Sequence, residues 1–342
     1  MRVSPLWLPL VGALLGACSS SSSSGGAGVS GSPPATLASG LADPYAIAVG
    51  PLGVYWSNVG KAVGTIMTAP TKGGSVTTIA SNQGRSYGVA LDSTSVYWTD
   101  QSGGTVMKAP LAGGASTTLA SGQSSPQGIA VDGSNVYWTC VASCDDDGGP
   151  CGGTVMRVLL GGGAPVTLAS GLDNPWAVAV SSDTVFWTND SPAADVGFSG
   201  TVMTVPIDGG APATLASGQA GPSSIALDET SVYWANSGAS NGSVVKCRQS
   251  GCGGNPTTLA SSQDVPHAIA LDAHNVYWTD WGTDAVMMAP IAGGTPTTIA
   301  LGSCATMDGG QCNAYGLASD ATRIYWTNGS LGGGTVLSVP KP

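Results

Sequence analysis

The sequence predicts an all-β fold, a single seven-bladed β-propeller of four-stranded antiparallel blades, from three observations. First, the stretch Ser95-Val96-Tyr97-Trp98-Thr99-Asp100 has six further versions: Tyr55-Trp56-Ser57-Asn58, Tyr137-Trp138-Thr139-Cys140, Phe186-Trp187-Thr188-Asn189, Tyr233-Trp234-Ala235-Asn236, Tyr277-Trp278-Thr279-Asp280 and Tyr325-Trp326-Thr327-Asn328. Their spacing of roughly 40 to 50 residues is that of an array of repeated supersecondary units. Second, each version lies among short β-branched or aromatic segments set apart by Gly, Ser, Asp or Asn, which read as strands. Third, the two ends of the array carry complementary fragments of one unit.

Taken in order from Tyr87, the unit runs Gly88 to Asp92, Ser95 to Asp100, Gly104 to Pro110 and Thr117 to Gly122, four strands in all. A Gly pair separates the third from the fourth strand at Gly73-Gly74, Gly113-Gly114, Gly209-Gly210, Gly253-Gly254 and Gly293-Gly294. Glycine adopts positive φ without a Cβ clash, so these are hairpin turns. Along the second strand, alternation puts Val96 and Trp98 on one face of the blade and Tyr97 and Thr99 on the other. Both faces of a blade are covered by neighbours, so one Trp per blade is core. The chain begins its array with a lone fourth strand, Ala35 to Gly40, and ends with a third strand, Gly334 to Pro340, that lacks a successor. Side by side they complete the seventh blade and leave no open sheet edge.

The N-terminus reads as a signal. Arg2, an apolar run from Leu6 to Leu15 and Leu15-Gly16-Ala17-Cys18 resemble a bacterial lipoprotein signal over residues 1–17, with Cys18 as the acylated residue. The apolar run is too short to span a bilayer. Residues 18–34, rich in Ser, Gly and Pro, are expected to form a flexible tether to a propeller over 35–342. The resemblance implies export and a lipid anchor in the cell envelope, and Ser19 implies outer-membrane sorting in a two-membrane organism. An exported chain favours disulfides: Cys247 with Cys252 and Cys304 with Cys312 flank local turns, and Cys140, Cys144 and Cys151 leave one odd thiol.

The Tyr-Trp-Thr-Asp motif resembles that of the YWTD-type propellers of lipoprotein-receptor ectodomains, within the broader TolB-like and NHL-like group, over nearly all of residues 35–342. Those propellers usually have six blades whereas this chain carries seven motifs, and the last motif position is Asp only at Asp100 and Asp280. Asn58, Asn189, Asn236 and Asn328 can make the same bonds to backbone at a strand end, and Cys140 is the exception.

Composition narrows the function. Only 9% of residues are charged and the formal net charge is -10, which argues against a phosphate backbone as partner. The sequence holds no nucleophile elbow, phosphate loop or His pair at metal spacing. Cysteines without paired CxxC halves and the run Asp145-Asp146-Asp147 without alternation do not make zinc or calcium sites, so neither metal nor cofactor is expected. Glu229 falls in a turn on the face away from the channel mouth, and His274 in a turn between first and second strands.

One position is different. Just before each first strand the units read Tyr45, Tyr87, Gln127, Trp176, Ser223, His267 and Tyr315, mostly after Pro and always before a small residue. In a propeller this ring is the mouth of the central channel. Apart from the motifs, every Tyr of the chain stands here, and Trp281 and Phe198 lie in loops opening on the same face, with Asp190 and Asp195. Aromatic and polar groups converging on a concavity are what binding sites use, although the same rings could simply plug the channel. The expectation is a monomeric, non-catalytic binding module whose ring and Trp281 receive a glycan, a peptide or an envelope protein. The alternatives are a scaffold in an envelope complex and an enzyme. Seven-bladed streptogramin-type lyases offer a resemblance, which would make His267 the base.

Overall fold

The computed structural model describes residues 33–60, 63–141, 152–190, 200–238, 242–302, 313–329 and 333–342. Those residues form seven four-stranded antiparallel sheets. The innermost strands are Pro44–Gly50, Ser86–Leu91, Pro126–Val131, Pro175–Val180, Pro222–Leu227, Pro266–Leu271 and Asn313–Ser319, here blades I to VII in that order. Each innermost strand contacts those of the blades before and after it, and blade VII contacts blade I, so the ring closes. The closing blade takes its outermost strand, Ala35–Leu41, from the start of the array and pairs it with Gly334–Pro340. The sevenfold count and the shared blade agree with the motif count.

The motif supplies the core as its alternation predicts. All seven motif Trp are fully buried. Each packs with the motif aromatic of the preceding blade: Trp98 with Tyr55, Trp138 with Tyr97, Trp234 with Phe186, and finally Trp56 with Tyr325 across the closure. The two faces of one strand therefore weld a blade to both neighbours. The motif Tyr hydroxyls are all bonded, whereas the indole N–H groups of Trp56 and Trp326 meet no partner among the described residues. The hydroxyl of Tyr97 donates to Asp92 at 2.6 Å, and Asp92 also accepts the backbone N–H of Thr94 and Ser95. The same Tyr–Asp pair recurs at Tyr137–Asp132, Tyr233–Asp228, Tyr277–Asp272 and Tyr325–Asp320. Where the Asp position is Gly50, the Tyr55 hydroxyl turns to the carbonyl of Leu111 in the next blade. The blade with Ser181 at that position has Phe186, which needs no acceptor.

Disulfide pairing of Cys247 with Cys252 is present, with Cα atoms 5.5 Å apart. Cys140 is buried and forms no disulfide with any described residue. Cys18, Cys144, Cys151, Cys304 and Cys312 lie outside the described residues. No helix among the described residues is long and apolar enough to cross a membrane.

Candidate functional site

Each ring residue occupies a β-bulge. In blade III, Pro126 pairs with Cys140 and Ile129 with Trp138, so Gln127 and Gly128 together oppose Thr139. A bulge re-aims the extra side chain, and a register shift stands at this place in all seven blades. The motif hydroxyl locks the bulge. Thr139 Oγ1 accepts the N–H of Gly128 at 3.0 Å and donates to the carbonyl of Trp176, the ring residue of the next blade, at 2.7 Å. Thr99 donates likewise to the Gln127 carbonyl, Thr279 to Tyr315 and Thr327 to Tyr45. The residue after the ring is small because the neighbouring ring carbonyl is so near: a Cβ on Gly128 would lie 2.4 Å from the Trp176 oxygen.

The seven ring residues, with the two residues after each, line one central cavity of about 210 Å³. Their side chains divide it into unequal halves. On one side His267, Tyr315, Tyr45 and Tyr87 form an unbroken aromatic run, with Tyr45 centred 5.0 Å from both Tyr87 and Tyr315 and 5.9 Å from His267. Trp281 extends it, 6.0 Å from Tyr315 and 6.3 Å from His267, and remains 38% exposed. The guanidinium of Arg85 lies over the Tyr87 ring at 5.6 Å. On the other side stand Gln127, Trp176 and Ser223.

Ser223 is occupied. Its blade has Ala235 where others have the motif Thr, and the Ser223 hydroxyl lies 3.1 Å from the His267 carbonyl, the acceptor that the missing Thr would have used. Gln127 is not: its side-chain amide bonds to no described residue, and although the residue is 5% exposed the amide is not sealed from solvent. Trp176 is half-buried and makes no ring contact with another aromatic among them.

Burial sets the charge of the mouth. It holds the His267 imidazole below its ordinary value against the opposing contact of Nδ1 with the Tyr315 carbonyl, so the ring is neutral at pH 7. Burial also raises the phenols of Tyr45 and Tyr315, which stay protonated. On the same face the carboxyls of Asp43 and Asp190 are raised by burial, and those of Asp280 and Asp284 are pushed up to about 6 by the same cause. Val265, two residues before His267, holds φ at 58°, a left-handed conformation that a β-branched residue rarely adopts.

Several features escaped the motif reading. The bulge leaves no periodic trace, and the indole partners lie far off in sequence: Gln83, Gln123, Gln219 and Gln263 accept from Trp98, Trp138, Trp234 and Trp278, each from the blade before, in its outer strand or, for Gln123, just after it. Glu229 and His274 are exposed in turns away from the mouth. Asp145 to Asp147, Asp195 and Phe198 lie outside the described residues.

No protein-family model matches the chain and no curated protein matches its sequence. Among solved structures it is similar to a chain of the nidogen/laminin complex, at 23% identity over 74% of this chain and 94% of that one, with a TM-score of 0.56. Streptogramin B lyase is similar at 12% identity over 90% and 96%, TM-score 0.67. A catalytically inactive His-to-Ala variant of virginiamycin B lyase from Staphylococcus aureus, with quinupristin, is similar at 14% over 89% and 97%, TM-score 0.68. At such identities the shared property is the fold.

Proposed function

We propose that this propeller is a non-catalytic binding module that receives its ligand, a glycan, a peptide or an envelope protein, at the channel mouth. The observation that carries the reading is the convergence of one bulged side chain from every blade on a single cavity, five of them aromatic with His267 included and one an amide that bonds to no described residue. A propeller of the same fold in the nidogen/laminin complex is consistent with such a role. Acylated Cys18 would tether the module to the envelope, and Cys18→Ser should release it from the membrane fraction. Retention of the wild-type protein on glycan and peptide arrays tests the binding role, with loss in Tyr87→Ala or Trp176→Ala at unchanged folding as the expected result. Folding loss in both variants would make the ring a plug.

A second reading is favoured by one observation: a neutral, half-buried imidazole, His267, stands in the mouth, where it could act as a base. It predicts an elimination activity that disappears in His267→Ala. Activity that survives that substitution would exclude it.

A further inference from the structure

We propose that the Gln127–Trp176 half of the mouth is a subsite for one neutral sugar ring, an inference that rests on the binding reading above and narrows its ligand. Gln127 lines the cavity with an amide that bonds to no described residue and is not sealed from solvent. An amide that solvent reaches can exchange its water for a ligand's hydrogen bonds at little cost. An amide end presents one acceptor and two donors in a plane. Adjacent sugar hydroxyls, each a donor and an acceptor, match that set. Trp176, on the neighbouring blade, gives an indole uncommitted to any described aromatic, against which the C–H face of a pyranose can stack.

Charge and backbone chemistry argue against the other ligands. Every side chain lining the cavity is uncharged at neutral pH, His267 included, so neither an anion nor a cation finds a counter-charge there. A peptide main chain would need free backbone groups to add to. Those of the mouth are already used: Gly88, Gly128, Ala177, Ala268 and Gly316 donate to motif hydroxyls. The carbonyls of Tyr45, Gln127, Trp176 and Tyr315 accept from them. What remains is side-chain chemistry, and on the open half it is one amide beside one indole.

The test uses neutral disaccharides (cellobiose, maltose, lactose and chitobiose) as probes, followed by ligand-observed NMR and calorimetry, with an unbiased peptide array in parallel. At least one disaccharide is expected to bind, Gln127→Leu and Trp176→Ala to weaken it about tenfold or more, and Trp176→Phe to retain most of the affinity. Gln127→Leu should also leave Tm close to that of the wild type, because the amide bonds to no described residue; a marked fall in Tm would mark the amide as structural and overturn the proposal. Peptide binding that depends on the ring, with no disaccharide bound, would overturn the sugar subsite and leave the binding reading standing. Disaccharide binding unaffected by any ring variant would overturn both.

Discussion

At Trp98 the indole is removed from water on every side, packed against Tyr55 of the blade before and bonded through its N–H to Gln83 of the same blade. Truncation leaves a cavity that the stiff strands cannot collapse, so Trp98→Ala should lower stability by about 3–5 kcal/mol in chemical denaturation. Ser223 gives a finer test of how side chains hold the ring. Its hydroxyl stands in for the Thr absent at Ala235, so Ser223→Ala should cost about 1 kcal/mol, and Ala235→Thr should recover most of it in the double variant. Independent, additive effects would show that the two positions do not share a role. At this scale the motif aromatics were legible, because alternation along a strand fixes which neighbour each side chain meets. Their polar partners were not, since Gln83 lies 15 residues from Trp98 in the chain and only blade packing brings them together. For Ser223 a ring of mouth residues was visible, but not that its hydroxyl is consumed by the blade contact.

Among elements, the end of strand Asn275–Asp280 in blade VI, with the loop that follows it, is where pH should act. The carboxyls of Asp280 and Asp284 sit at about 6 in the folded protein, raised above the ordinary carboxylate value by burial, so the native state holds protons that the unfolded chain releases between about pH 4 and 6. Stability from this loop therefore falls as pH rises through that window. The turn carboxylates act the other way. Burial alone would raise Asp92 and Asp228, but hydrogen bonds from the Tyr hydroxyl and turn N–H groups outweigh it and hold them low, so their contribution is lost as pH falls below about 4. A thermal melt series should peak between these two windows, and Asp280→Asn, which installs the residue that four other motifs carry, should flatten the decline toward pH 7. A decline unchanged by the substitution would remove Asp280 from the account. The four strands and Gly-pair hairpins were readable from composition and spacing. The bulges were not, because one displaced residue does not disturb the pattern that marks a strand.

For the whole molecule, closure depends on one seven-residue strand. Ala35–Leu41 covers the outer edge of Gly334–Pro340, and its Leu37, Ala38 and Leu41 join the core beneath Trp56. Removing residues 35–41 should expose that edge, lower Tm and produce self-association on size exclusion, as an unpaired edge strand invites. A monomer with unchanged Tm would mean that the ring does not need the shared blade. The same closure carries all seven ring residues to one axis, which is why scattered Tyr, Trp, Gln, Ser and His positions of the sequence read as one mouth. Which of those residues face each other and which face the channel follows from bulge geometry, and it separates a packed aromatic half from an open half at Gln127 and Trp176.

The central claim is that the open half of the mouth is kept for a ligand and not for stability. Trp176→Ala, measured for Tm and for ligand retention on the same preparation, tests it most directly. The account predicts a Tm within about 2 °C of wild type, the shift that less than 1 kcal/mol produces in a chain of this size, together with lost retention. A marked fall in Tm with retention intact would contradict it.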